Sequence, residues 1–101
     1  MNTKEYVKIF WYHDNPDDPR VIIYEVDLLN DRYILRLIDI YADGRCVNNG
    51  DPYDSVIEVL PIETVEEINV GVWGDEIRAC RISKEEFEKI WRTHVYTGEI
   101  E

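Results

Sequence analysis

Three segments in the first 41 residues are rich in β-branched and aromatic residues, and turn-forming residues separate them. In the first segment Val7, Ile9 and Trp11 alternate with polar or aromatic neighbours, as in a strand whose side chains point to two faces. The segments cover residues 5–13, 21–28 and 32–41. Prolines, Asn and Asp between the first two cannot continue a strand. The start of the chain is thereby constrained to an antiparallel sheet.

The rest of the chain adds short strands and turn signals. Asp43-Gly44 suits a type I′ hairpin turn, because both positions of that turn need positive φ. The returning strand is predicted at residues 45–47, a loop at 48–52, and further strands at 56–60 and 76–82. The predicted sheet therefore has four to six strands.

Two helix starts carry the capping-box pattern of Ser or Thr followed three residues later by Glu. Thr64 with Glu67 begins a helix of one or two turns, and Ser83 with Glu86 begins a longer one that ends near Val95. In the longer helix Phe87, Ile90 and Trp91 follow the helical spacing of an apolar face, and the tail from Tyr96 onward is expected to fray. The predicted fold is α+β, a two-layer domain with one amphipathic C-terminal helix packed on the sheet.

Length and charge narrow the function classes. The 101 residues fit a single domain, residues 1–101, and the formal net charge is −11. This charge disfavours direct binding to nucleic acid or to an anionic membrane. No run of 18 uncharged apolar residues occurs, and residues 1–5 show no secretory signal. We expect a cytoplasmic bacterial protein whose electrostatic partner is basic.

Acidic residues are concentrated in the acidic segment, defined as residues 46–77, which holds eight acids and no Lys or Arg. One interpretation is a solvated face that keeps the protein soluble. The other is a docking surface for a basic protein, in which an aromatic residue surrounded by acids supplies binding energy. The aromatic residues of the segment could equally belong to the core. The candidate partner-binding residues are Asp51, Tyr53, Asp54, Glu58, Glu63, Glu66, Glu67, Trp73, Asp75 and Glu76.

Other clusters give weaker signals. His13 with Asp14, Asp17 and Asp18 offers cation ligands, but the spacing fits no known metal motif and two prolines favour a rigid turn. The cysteines, 34 residues apart, are expected to be two reduced thiols, with a disulfide between adjacent strands as the alternative. No nucleophile motif or phosphate-binding loop occurs, and no carboxylate stands in an apolar context that would raise its pKa. We predict no catalytic residues, no metal, no cofactor and no small-molecule substrate.

Five motifs resemble, in order, a family of small acidic bacterial domains of unknown function. They are FWYHDNPDDP at 10–19, IYADGR at 40–45, PI at 61–62 with EEIN at 66–69, and ISKEEF at 82–87 with Trp91. Some members resemble immunity proteins of contact-dependent growth inhibition and other polymorphic-toxin systems. The chain departs from the pattern between Val47 and Leu60 and at residues 70–73, which both lie inside the acidic segment.

The resemblance implies an immunity protein that neutralises a basic toxin, with a nuclease, and specifically an RNase, as the favoured class. A nuclease is basic around its substrate groove, so an acidic inhibitor could cover the groove or a neighbouring exosite. The alternatives are a phage-encoded nucleic-acid mimic that inhibits a host nuclease complex, and a small enzyme.

Overall fold

The computed structural model describes residues 3–29, 31–49 and 63–100. Within these ranges the chain forms five strands and two helices. In chain order they are β1 (Lys4–Trp11), β2 (Val21–Asp27), β3 (Tyr33–Ile40), β4 (Cys46–Asn49), α1 (Val65–Asn69), β5 (Ile77–Ile82) and α2 (Lys84–Thr93). The strand predicted at 56–60 lies outside the described residues.

All strands of the sheet are antiparallel, in the order β4-β3-β2-β1-β5. The first and last strands are therefore neighbours, with Ile9 opposite Ala79. A bulge interrupts the β2–β3 register between Glu25 and Val26. The α+β prediction of an antiparallel sheet with a C-terminal helix is confirmed, with five strands.

The β3–β4 hairpin lies where the sequence predicts it, but its turn differs. Gly44 has a φ of 89°, whereas Asp43 does not join it at positive φ, so the turn is not type I′. The Asp43 carboxylate accepts a hydrogen bond from the Arg45 amide, and the Gly44 amide donates to the Tyr41 carbonyl. The bond from the Arg45 amide satisfies the Asp43 carboxylate within the turn. Of the two central residues of the turn, only Gly44 takes the left-handed conformation.

Helices cover both faces of the sheet. One core cluster joins α2 to the sheet through Tyr6, Val21, Ile23, Ile38, Ile40, Phe87 and Ile90. The other joins α1 to the opposite face through Val7, Ile9, Val26, Ile34, Leu37, Val65, Ile68 and Ala79. The two-layer prediction is therefore corrected to three layers, since even a five-residue helix buries Val65 and Ile68.

Both predicted helix starts are confirmed. Thr64 Oγ1 accepts from the Glu67 amide while the Glu67 carboxylate accepts from the Thr64 amide, which completes the capping box of α1. Ser83 caps α2, and His94 ends α2 in the left-handed conformation. None of the helices in the described part of the chain is long and apolar enough to cross a membrane.

The C-terminal tail packs against the domain, which contradicts the expectation that it frays. Tyr96 and Ile100 lie on the α2 core cluster. The Lys8 ammonium lies 5.3 Å from the Tyr96 ring centroid, and the Tyr96 hydroxyl donates to the Glu99 carbonyl. These contacts hold the tail against β1 and alongside α2.

Both cysteines are free thiols, as predicted. Cys46 lies on β4 and Cys80 on β5, the two outermost strands that the described residues form. Three strands separate them, so the alternative of a disulfide between adjacent strands is wrong.

Candidate protein-binding surface

Residues 63–76 of the acidic segment lie beside β5, at one side of the described sheet, whereas residues 46–49 form β4 at the opposite side. Asn69 fastens residues 63–76 beside β5, because its side-chain amide donates to the Ala79 carbonyl at 2.9 Å and accepts from the Ala79 amide at 2.7 Å. These two bonds satisfy the edge groups at the middle of β5 and obstruct the pairing of another strand. The segment is thus held in a fixed position relative to the sheet.

The acids fall at two ends of this edge. Glu66 lies beside Arg81 near the end of β5, while Asp75 and Glu76 precede its first residue, Ile77. Four residues of strand separate these ends, which corresponds to roughly 13 Å. We call the surface formed by Glu63, Glu66, Glu67, Val70, Val72, Asp75 and Glu76 the α1 surface.

The α1 surface is less uniformly acidic than the sequence suggests, because folding brings two arginines to it. Arg81 lies 2.9 Å from the Glu66 carboxylate and 3.0 Å from that of Glu5. Arg32 lies 2.8 Å from Glu5 and donates to the Glu63 carbonyl at 3.2 Å. Charge counted along the chain therefore overstates the local charge at Glu66.

These contacts also hold the acids ionised. Burial raises the pKa of Glu5, but the hydrogen bonds from Arg32 and Arg81 outweigh it and lower the pKa below its usual value. The pKa of Glu66 is lowered by a backbone hydrogen bond at the start of α1 and by the bond from Arg81. The pKa of Glu67 is lowered by its bonds to Thr64. The surface is consequently anionic at neutral pH.

Trp73, the predicted aromatic contact, is less exposed than the acidic residues that follow it, Asp75 and Glu76. Trp73 is half-buried and packs against the α1 core cluster, so its main contacts are within the fold. The exposed apolar residues of the α1 surface are Val70 and Val72, at positions where the chain departs from the family pattern. These residues are 81% and 53% exposed.

Four of the predicted partner-binding residues, Asp51, Tyr53, Asp54 and Glu58, lie outside the described residues. Of the others, Glu66, Glu67, Asp75 and Glu76 are exposed, whereas Glu63 and Trp73 are half-buried. The structure thus brings four predicted acids to the solvent side of one edge of the sheet.

The second charged loop is closed by its own hydrogen bonds. His13 Nε2 donates to the Pro19 carbonyl at 2.7 Å, and His13 Nδ1 accepts from the Asn15 amide. The Asn15 side chain in turn bonds the Asp17 amide and the Asp18 carboxylate. Both imidazole nitrogens are therefore engaged, which supports the rigid-turn interpretation. Within the described ranges, no group of three His, Cys, Asp or Glu side chains is arranged to hold a metal ion.

One buried acid contradicts the expectation that no carboxylate stands in an apolar context. Asp39, on β3 opposite Ile22, is 7% exposed. Burial raises its pKa to about 6, against a partial lowering by the hydrogen bond from the Asn49 amide. The signal in the sequence was its neighbours two positions away, Leu37 and Tyr41, which share its face of the strand.

Glu25, the other buried acid, does not pair with Asp39 for acid–base chemistry. It contacts Tyr6 and Arg36 on the α2 side of the sheet, whereas Asp39 lies on the α1 side. Two carboxylates on opposite faces cannot act on one substrate.

Comparisons with known proteins give a family without an assigned activity. No curated protein and no solved structure matches the chain. A family profile described as Domain of unknown function (DUF6881) matches residues 5–96, nearly the whole chain. The chain therefore belongs to the DUF6881 family.

Proposed function

We propose that this chain is an immunity protein that binds a cognate cationic toxin domain through the α1 surface. The toxin would be a nuclease, with an RNase favoured, and the complex would cover its substrate groove or a neighbouring exosite. The observation that carries the proposal is the placement of four exposed acids on either side of an exposed apolar turn, along one edge of the sheet.

Charge complementarity supports this choice of partner. The substrate groove of a nuclease is lined with Lys and Arg, since it must bind phosphates. An acidic surface accelerates encounter with such a groove and disfavours acidic partners. The proposal includes a cytoplasmic location, where an immunity protein meets the toxin after its entry.

The fixed geometry of the α1 surface also supports binding. Asn69 bonds the helix end to β5, and the capping box fixes the helix start. Side chains presented by such a framework lose less conformational entropy on association than side chains on a loose segment.

The test uses the toxin domain encoded by the adjacent gene, catalytically inactivated, and surface plasmon resonance. The acid variant Glu66→Gln, Asp75→Asn, Glu76→Gln removes three charges from the α1 surface without disturbing the capping box. We expect Kd to rise about 10–100-fold, because exposed charge pairs contribute up to about 1 kcal/mol each. The loss should fall mainly on the association rate.

The matched control is Asp14→Asn, Asp17→Asn, Glu99→Gln, which removes the same charge from exposed positions elsewhere. It should change Kd by less than about threefold, since only the long-range field differs. Equal losses from both variants would show that net charge alone attracts the partner. A wild-type chain that neither binds the inactivated domain nor protects cells expressing the active one would refute the immunity function.

A further inference from the structure

We infer that Val70 and Val72 form the apolar centre of the contact, and that the partner presents a shallow apolar pocket rimmed by Lys and Arg. This inference rests on the proposed function and specifies the chemistry of the bound partner. The two valines flank Gly71, in the turn between α1 and β5, and are among the most exposed large apolar side chains of the described residues.

The turn that carries the valines is structurally determined. Gly71 and Gly74 have φ values of 97° and 104°, which L-residues rarely adopt. The Gly71 amide donates to the Ile68 carbonyl, and the Gly74 amide donates to the Gly71 carbonyl. The turn therefore has a defined backbone shape in the free protein.

Trp73 anchors the turn from below. Its side chain packs against the α1 core cluster, so the chain reverses with the tryptophan directed inward and its neighbour Val72 directed toward solvent. An inward anchor next to an outward valine places apolar surface in water without a benefit to folding. Exposed apolar groups on a rigid support are typical of interaction sites.

The charges around the valines determine which partner fits. Glu66 and Glu67 precede Val70 by one helical turn, and Asp75 and Glu76 follow Val72 within four residues. The arrangement is an apolar centre with an anionic rim, the usual anatomy of a protein interface. Its complement is an apolar depression with a cationic rim, which an acidic or a uniformly polar partner does not offer.

Other exposed apolar residues have charges of both signs near them. Leu28, which precedes Leu29 just after β2, lines a groove with Lys4 and Glu5. Val95, after α2, lines a groove with Lys89 and Glu86. These positions provide controls for the loss of an exposed aliphatic side chain as such.

The experiment compares Val70→Ser, Val72→Ser with the matched variant Leu29→Ser, Val95→Ser, whose side chains are comparably exposed. The probe is the inactivated toxin domain from the adjacent gene. We expect the valine variant to raise Kd about 10–100-fold, because full burial of one valine corresponds to about tenfold in affinity. The control variant should bind within about threefold of wild type, and both should unfold at the wild-type temperature, since exposed side chains contribute little to stability.

The kinetic constants separate this inference from the proposed function. Loss of the apolar centre should increase the dissociation rate and leave the salt dependence of association unchanged, whereas the acid variant should slow association. If the acid variant weakens binding and the valine variant does not, the inference is wrong and the proposed function stands. If wild type does not bind, the proposed function itself fails.

Discussion

Two buried carboxylates on opposite faces of the same sheet have opposite environments. Glu25, 3% exposed on the α2 side, receives two hydrogen bonds from Arg36 at 2.7 and 2.8 Å and one from the Tyr6 hydroxyl at 2.9 Å. Burial raises its pKa, but the bonds from Arg36 and Tyr6 outweigh burial and lower it. Asp39, 7% exposed on the α1 side, accepts one bond at 3.2 Å, while its Oδ1 has no hydrogen-bond partner among the described residues. Its pKa rises to about 6.

The difference extends to the two sides as a whole. On the α2 side the Arg36 guanidinium also bonds Glu88 and lies 4.9 and 4.8 Å from the ring centroids of Phe87 and Trp91. One side chain therefore links two strands to α2 by charge and by packing. On the α1 side, burial of the ionisable Asp39 costs stability at neutral pH, and Val70 and Val72 are exposed to water. Both sides bury an apolar cluster, so the difference between them lies in how each holds its charged group.

The largest expected effect is the loss of Arg36. Arg36→Ala leaves Glu25 buried without its cation and removes the contact with both rings, so the free energy of unfolding should fall by about 3–5 kcal/mol. The control is Arg45→Ala, because the Arg45 guanidinium lies 4.3 Å from the Tyr41 ring at a hairpin turn and its loss should cost less than about 1 kcal/mol. Urea unfolding measures both, and equal small losses would show that α2 is held by apolar packing alone.

Replacement of Asp39 is expected to stabilise the fold, whereas replacement of Arg36 destabilises it. Asp39→Asn should raise the free energy of unfolding at pH 7.5 by about 1–2 kcal/mol, because the folded chain no longer holds an ionised group in a buried site. The amide keeps the size of the side chain and retains an acceptor for Asn49. A destabilised variant would mean that the ionised carboxylate makes a favourable contact.

The pH dependence of the free energy of unfolding, measured for the wild type and for Asp39→Asn, tests whether ionisation of Asp39 causes the difference in stability. The pKa of Asp39 is raised from 3.8 to about 6 on folding, so its contribution to stability is fully present below about pH 4 and is lost as pH rises through about 6. Glu25 and Glu5, whose pKa values are lowered on folding, are present in both proteins, so their contribution to the pH dependence cancels in the comparison. The advantage of the Asn variant should shrink as pH falls from 7 to 5, and a constant advantage would exclude ionisation as its cause.

Local sequence patterns predicted most of the fold, because each element depends on near neighbours. The alternation at Val7, Ile9 and Trp11 predicted β1, and the capping residues Thr64 and Ser83 predicted both helix starts within one residue. The residues at which the elements end and the number of layers were harder to predict. Covering the second face by α1 depends on contacts of Val65 and Ile68 with distant strands, which no local pattern encodes.

The candidate site shows the same division. The acids of the surface were visible in the sequence, but their neutralisation was not, because Arg81 reaches Glu66 across 15 positions of the chain. Trp73, predicted as a contact, packs largely against the core, whereas Val70 and Val72 are exposed. Composition does not show which side chain of the turn faces outward, because this depends on the left-handed backbone at Gly71 and Gly74.

Amide hydrogen exchange of the chain, alone and bound to the inactivated cationic toxin domain, tests most directly which side of the sheet binds. Binding through the α1 surface predicts slower exchange in the complex for amides of residues 66–76, including those of Val70 and Val72, because the partner excludes water from the turn. Exchange over α2 should be unchanged, since that side is already closed in the free chain. Protection centred on α2, with residues 66–76 exchanging as in the free protein, would contradict binding through the α1 surface.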